Sequence, residues 1–423
     1  MISLHKIYEG LPDRQIACID MRSFYASCAA LLNGLDVMRD MIAVVGNLEH
    51  RGSVVLAASP PLKKRYKVNT GTRLYEIPTD PRIHLIEPKM AMYLKFSMEI
   101  PRLLNQYVPI EAVHVYSVDE CFFDLSGTEK LWGPIRQTVD SIQRELFNQF
   151  QLPSAVGVGP NMLMAKLALD LDAKKSGYAR WTYDDVQNKL WPVSPLSEMW
   201  GIGSRTERTL NNMGIRSVGE LAESSLERLE KKFGIIGNQL YHHAWGIDLS
   251  EIGATAPVGQ ISYGKSQVLM RDYETRKSIL IVILEMCEDV AMRARVAGKV
   301  ARTINLGIGY SKHAGRGGFN RSRSIIEGTN ETMDIYRVCV ELFDKFYNQQ
   351  PVRNISISIT NLEADTSMQL DLFQADKWQN KKLSSAIDEI KTRYGATAIT
   401  RGISLTRDGT AIKRSRLVGG HKG

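Results

Sequence analysis

Hydrophobic and polar positions alternate along this chain in a way that predicts a series of short strands and helices. Residues 15–20 (QIACID) are an apolar run closing on Asp20, read as a strand entering a core, with a helix from about Ser23. Two apolar runs, MIAVVG and SVVLAAS, fall within residues 40–58 around the polar NLEHRG, the pattern of a hairpin. Residues 111–125 alternate, break at Asp119-Glu120 and resume, which predicts two strands joined at a turn that carries the acidic pair. A helix over 131–150, a strand over 154–159 and a helix over 161–173 follow. After Trp191-Pro-Val-Ser-Pro the texture changes to short helices punctuated by glycines (197–246), then a Gly/Pro/Ala-rich linker (247–260). The next stretch reads strand 261–269, helix 274–298, strands 301–310 and 319–327, helix 331–348 and strand 353–360. That order is a split-βαβ module. The tail from 362 holds an isolated apolar motif and then a helix near 383–394.

Composition adds constraints. The 423 residues are too many for one ordinary domain. The longest uninterrupted apolar run, Ile279 to Leu284, is far short of a membrane span, and the first 15 residues lack the apolar stretch of a signal peptide. Five widely spaced cysteines without a CxxC pair favour reduced thiols in a cytoplasmic protein. The net charge of +8 is unevenly placed. Residues 1–261 carry 28 Lys/Arg against 29 Asp/Glu, residues 262–361 carry 15 against 10, and residues 374–423 carry 11 against 4. A basic C-terminal part beside a neutral N-terminal half suits a polyanion partner.

The chemistry centres on Asp20, Asp119 and Glu120. Each ends or opens an apolar strand, and adjacent strand ends can bring the three together. Hard carboxylate oxygens grouped in this way are what two magnesium ions need for phosphoryl transfer. Singly, such acids are more often solvated turn residues.

The motifs around them resemble those of the Y-family (translesion) DNA polymerases. Asp20-Met-Arg-Ser-Phe24-Tyr25 is similar to the first family motif, Ser117-Val-Asp119-Glu120 to its acidic pair, and Val156-Gly157-Val-Gly159-Pro-Asn161 through Lys166 to its third. The likeness is strongest to the bacterial UmuC-like branch of Gram-positive bacteria and their mobile elements. It implies an α+β multidomain fold, a right hand with palm (1–23 and 82–190), small fingers (24–81), helical thumb (191–252), linker (253–261), split-βαβ little finger (262–361) and basic tail (362–423). It implies metal ligation by Asp20, Asp119, Glu120 and the Met21 carbonyl. Tyr25 would be a steric gate beside Phe24, and Lys166 would meet the triphosphate. The family's Tyr-x-x-Arg in the fingers is absent: Pro61 stands at the Tyr position and Lys64 at the Arg position. Nucleotide contacts are therefore expected between Ser59 and Arg65, with Lys64 first and Arg65 second.

The same resemblance assigns DNA contacts. Leu196 to Leu210, with Gly201, Gly203 and Ser204, resembles a helix-hairpin-helix whose N–H groups face a phosphate. A basic sheet face of Lys265, Arg271, Arg302, Lys312, Arg321 and Arg323 is expected to track primer-template DNA. Gln369-Leu370-Asp-Leu372-Phe373 resembles the peptide that binds the bacterial sliding clamp. The expected enzyme is a monomer that uses two Mg2+ ions and dNTPs. Two other readings stay open: a nucleotide cyclase-like enzyme on a similar palm, and a non-catalytic DNA-binding bypass factor.

Overall fold

The computed structural model describes residues 7–253, 262–311, 313, 315, 317–366 and 376–422. The chain divides into two compact units, residues 1–254 with 421–423, and residues 255–420. Among the described residues no helix is long and apolar enough to cross a membrane.

The first unit is built on a five-stranded sheet. Its founding strand, β1 (Ile16–Met21), is buried on both faces, which explains why its apolar run lacks alternation. Ser23, at the left-handed φ of 51°, turns the chain into helix α1 (Phe24–Leu32) within two residues. The expected hairpin forms β2 (Met41–Val45) and β3 (Val55–Ala58), followed by the short helix α2 (Pro60–Tyr66). A third strand, β4 (Ile83–Ile86), pairs in parallel with β2. The sequence reading missed it, because four residues of partly exposed strand carry no periodicity of their own. Helix α3 (Met90–Leu104) leads to β5 (Val113–Val115) and β6 (Glu120–Asp124), the two strands expected around the acidic turn. Helix α4 (Ile135–Phe150) buries Ile135, Val139, Ile142 and Leu146, one stripe at helical spacing.

Strand β7 (Ser154–Gly159) and helix α5 (Met162–Leu167) complete the scaffold with β8 (Tyr178–Arg180). The sheet order is β5-β6-β1-β7-β8. Gly157 and Gly159 are required here. A Cβ on Gly157 would stand 2.2 Å from the Leu169 nitrogen and 2.3 Å from the Ala165 oxygen, and one on Gly159 2.6 Å from the Ala165 nitrogen. Backbone packs on backbone, which brings α5 and its continuation in wide π-type turns (Ala168–Ala173) directly onto the sheet. Asn161 caps α5 by accepting from the Met164 N–H at 2.9 Å. Four further helices, α6 (Ser204–Asn212), α7 (Val218–Ala222), α8 (Leu226–Phe233) and α9 (Ile235–Ala244), are the expected glycine-punctuated series.

The second unit is the expected β-α-β-β-α-β. It contains β9 (Tyr263–Tyr273), α10 (Arg276–Val296), β10 (Lys299–Tyr310), β11 (Gly318–Thr329), α11 (Thr332–Phe346) and β12 (Val352–Ala364). The sheet order is β11-β10-β12-β9, and the helices pack on one face around Ile304, Leu306, Ile355, Ile357 and Phe343.

One expectation fails in this unit: the free face of the sheet is not basic. Cross-strand rows Ser266–Ser356–Gly307–Asn320 and Gly264–Ser358–Asn305–Ser322 make its middle small, polar and uncharged. Arg321 and Arg323 stand opposite Leu306 and Ile304, on the helix side. Arg321 lies over the Phe346 ring at 5.0 Å, and Arg323 pairs with Glu341. Lys265 bonds Asp289 on α10, Arg271 bonds Asp408, and Arg302 bonds Glu363 and the Ile326 carbonyl. Lys265, Arg321 and Arg323 serve helix–sheet packing, Arg271 ties the sheet to the tail, and Arg302 links neighbouring strands. Lys312 lies outside the described residues. The tail, whose order the sequence left open, is folded. Helix α12 (Asp376–Tyr394) starts seven residues earlier than expected, and Asp388 forms a buried pair with Arg295 of α10 at 2.6 Å. Farther on, buried Glu285 accepts from the N–H groups of Thr410 and Ala411 at 2.9 and 3.0 Å.

Candidate active site

Strand register assembles the three carboxylates. β1 and β6 run antiparallel with Asp20 directly opposite Glu120. The Met21 N–H donates to the Asp119 carbonyl at 2.9 Å, so Asp119 closes the same end of the sheet. The Ser117 hydroxyl donates to the Asp119 carboxylate at 2.7 Å. Crowding of this kind has an electrostatic cost. Burial raises the Asp20 carboxyl above its ordinary pKa, Asp119 and Glu120 add to the rise, and Lys174 opposes it.

The counter-charge comes from α5 and its wide turns. Lys166, Asp170 and Lys174 recur every four residues and face the sheet end. Lys166 pairs with Glu120 and, at 3.2 Å, with Asp170; Lys174 pairs with Asp170 at 2.8 Å and with Asp20 at 3.0 Å. The result is a closed chain of alternating charge, Glu120–Lys166–Asp170–Lys174–Asp20, whose ends are cross-strand neighbours. Both lysines have a raised pKa: burial lowers it, and the carboxylate hydrogen bonds and charges outweigh burial. Glu120 also accepts from the Cys18 thiol at 3.2 Å.

This revises the role expected for Lys166. It is 6% exposed and committed to Glu120, so it is not open to an incoming ligand. Lys174, whose side chain is 45% exposed, is the open lysine at the site. Sequence reading missed it by ending the helix at Ala173; the four-residue spacing of Lys166, Asp170 and Lys174 was the available signal.

Among the described residues, no three His, Cys, Asp or Glu side chains are already set around a common metal position. The donor set nonetheless fits a hard divalent cation. It offers carboxylate oxygens from three residues, and the lysines drawn to Asp20 and Glu120 display its demand for positive charge.

On the neighbouring side, Tyr25 stacks on Tyr93 with centroids 5.3 Å apart, and Asp119 adds to the burial that raises its hydroxyl pKa. Phe24 is 3% exposed and belongs to the core, so its ring is not available to a nucleotide. Neither is Ser59: fully buried, its hydroxyl accepts from the Ile42 N–H at 2.9 Å and donates to the Asp40 carbonyl at 2.7 Å. On α2, Lys64 and Arg65 are exposed, and Lys63 instead turns inward to donate to the Ser23 hydroxyl at 2.9 Å. One residue of helix rotates a side chain by about 100°, which is why the basic run alone did not say which cation faces the site.

The hairpin candidate is also formed. Gly201 has φ 93°, Ile202 is buried, and Gly203 precedes Ser204 at the start of α6. Trp200 donates to the Tyr116 hydroxyl at 3.3 Å. A cleft of about 620 Å³ runs between Tyr116, Asp170 and Lys174 on one side and residues 197–203 on the other. Gln369, Leu370, Leu372 and Phe373 lie outside the described residues.

Comparison with known proteins finds likenesses over nearly the whole chain. The impB/mucB/samB family pattern matches residues 19–170, its C-terminal domain residues 260–372 and the family's HHH motif residues 183–215. UvrX of Bacillus subtilis (strain 168) is 52% identical over 98% of this chain and 99% of its own. DNA polymerase IV 2 of the same organism is 38% identical over 97% of this chain and 99% of its own. A solved Y-family DNA polymerase chimera shares the fold, with a TM-score of 0.62 and 21% identity, covering 83% of this chain and 99% of that one.

Proposed function

The chain belongs to the impB/mucB/samB family of Y-family DNA polymerases, and on that premise we propose how its residues divide the work of translesion synthesis. It is a DNA-directed DNA polymerase. Residues 1–23 and 82–190 serve as palm, 24–81 as fingers, 191–252 as thumb and 262–361 as little finger. Asp20, Asp119, Glu120 and the Met21 carbonyl would hold two Mg2+ ions, which would supply activation of the primer 3′-oxygen and charge stabilisation at the transferred phosphate. The observation that carries this reading is the register of β1 and β6, which sets Asp20 against Glu120 with Asp119 beside them.

The other residues take roles set by their surroundings. Lys166 positions Glu120. Lys174, open and beside Asp20, supplies positive charge to the triphosphate. Tyr25, fixed against Tyr93, presents its ring edge to the sugar and rejects a 2′-hydroxyl. The open backbone at Gly201, Gly203 and Ser204 accommodates a DNA phosphate. The uncharged free face of the little-finger sheet allows close approach of the duplex backbone to the peptide groups. Residues 369–373 tether the enzyme, a monomer in the cytoplasm, to the sliding clamp.

Primer extension on an undamaged and an abasic template, with Mg2+ and with a chelator, tests the reading. Extension past the abasic site that the chelator abolishes is the expected result. Absence of extension on both templates, with DNA bound normally, would favour a bypass factor without catalysis.

A further inference from the structure

The acidic turn has a second anchor, one that lies off the sheet. Tyr116 and Ser117 close the turn by donating their N–H groups to the Glu120 carbonyl, each at 3.0 Å, and the Ser117 hydroxyl holds the Asp119 carboxylate at 2.7 Å. The strand that enters this turn, β5, has three residues, lies at the sheet edge and is largely exposed, so its own packing restrains the turn weakly. Tyr116, itself 47% exposed, is held from outside by Trp200. The Trp200 indole N–H donates to the Tyr116 hydroxyl at 3.3 Å, and the two rings meet edge to face with centroids 5.9 Å apart. Buried Phe122, two residues past Glu120 on β6, lies against both, its centroid 6.1 Å from Trp200 and 5.7 Å from Tyr116. Aromatic groups in this geometry stabilise one another beyond the area they bury. Trp200 directly precedes Gly201, whose φ of 93° turns the hairpin backbone toward the start of α6. The indole therefore stands one residue from the proposed phosphate contact, and its partner one residue from the Ser117–Asp119 hydrogen bond.

We propose that Trp200 is a positioning residue for the acidic turn, and that its bond to Tyr116 couples the DNA-holding hairpin to the metal site. A phosphate on the hairpin fixes the backbone from Gly201 to Ser204, and Trp200 with it. The indole then fixes Tyr116, the closure of the turn and the Ser117 hydroxyl that aims the Asp119 carboxylate. Coupling of this kind is reciprocal: DNA tightens the divalent cation, and the cation tightens DNA. A plain packing contact lends stability without linking the two. This inference rests on the polymerase reading above.

Binding of Mn2+ as the probe ion, followed by electron paramagnetic resonance with and without a primer-template that lacks its 3′-hydroxyl, tests it on Trp200→Phe, Tyr116→Phe and the double variant. Each single substitution keeps an aromatic ring and removes one partner of the hydrogen bond, which separates the bond from the fold. Thermal unfolding stays close to wild type. Loss of a neutral hydrogen bond predicts Mn2+ affinity weakened roughly fivefold in the DNA-bound protein. In the DNA-free protein the affinity stays within twofold of wild type. The double variant loses no more than either single, because all three lack the same bond. Single-turnover primer extension in limiting Mg2+ slows by a similar factor and recovers in excess Mg2+. Mn2+ affinity within twofold of wild type in both DNA-bound singles overturns the inference, and so does an equal loss with and without DNA. A double variant that loses the product of the two single effects also overturns it, since independent packing roles give that result. If the wild-type protein binds no Mn2+ and extends no primer, the polymerase reading fails and this inference falls with it.

Discussion

The carboxylate site of the first unit and the free sheet face of the second handle charge in opposite ways. At the site, three acids and two lysines crowd into one network with Asp119 beside it, held there because Gly157 and Gly159 let a helix lie against the sheet. On the sheet of the second unit, the central rows of the free face carry no charge, and Arg323 and Arg321 of the edge strand turn to Glu341 and Phe346 of helix α11. Concentrated charge suits an ion and a triphosphate, which need fixed ligands. An uncharged face suits a duplex of any sequence, which must slide. The difference teaches that a basic composition does not say which face of a sheet its cations occupy; strand register does.

The sharpest way to break this contrast is to disturb the backbone contact at the site. Gly157→Val would drive Leu169 and Ala165 off the sheet, costing about 3 kcal/mol or more and carrying Lys166, Asp170 and Lys174 away from the carboxylates. Thermal unfolding together with primer extension should show a large loss of both. Gly307→Ala, on the free face of the other sheet, meets only the Ser356 hydroxyl at 2.2 Å and should cost much less, because that hydroxyl can rotate away. Equal losses would mean that the two sheets are not built for different purposes.

Next in size is the buried pair beneath the folded tail. Arg295→Ala leaves Asp388 buried without its partner and should cost about 3 kcal/mol by denaturant unfolding of the second unit. An unchanged midpoint would mean that residues 376–420 add nothing to the stability of this unit. Charge placement comes third. Asn305→Glu with Ser356→Glu on the free face should weaken DNA binding roughly tenfold at low salt, whereas Arg321→Ala with Arg323→Ala changes it little. The reverse order would restore the basic face read from the sequence. Smallest in rate, though distinct in kind, is Tyr25→Ala: deoxynucleotide incorporation should fall only a few-fold while ribonucleotide incorporation rises. Unchanged sugar discrimination would remove Tyr25 from the gate.

Most of the architecture was legible because apolar periodicity is local. The acidic turn at 119–120, the glycine-spaced strand at 154–159 and every element of the βαββαβ unit follow from it. What escaped depended on partners distant in sequence. Strand β4 exists through its pairing with β2. The inward turn of Lys63, rather than Lys64, depends on the phase of a seven-residue helix. Lys174 lay just past a helix end that the wide π-type turns extend. The arginines of β11 were counted correctly and assigned to the wrong face, because an edge strand whose Arg321 and Arg323 stack on helix α11 reads in sequence like one exposed to solvent. Ser59 carried a polar side chain into a fully buried position that only its two backbone partners explain.

The central claim is that Asp20, Asp119 and Glu120 act together as the catalytic centre of a polymerase. Single-turnover primer extension by Asp119→Ala and Glu120→Ala, each checked for intact fold and primer-template affinity, measures this most directly. The account predicts that each variant binds DNA normally and extends the primer slower by a factor on the order of 10³ or more. Extension at the wild-type rate by both variants would contradict it.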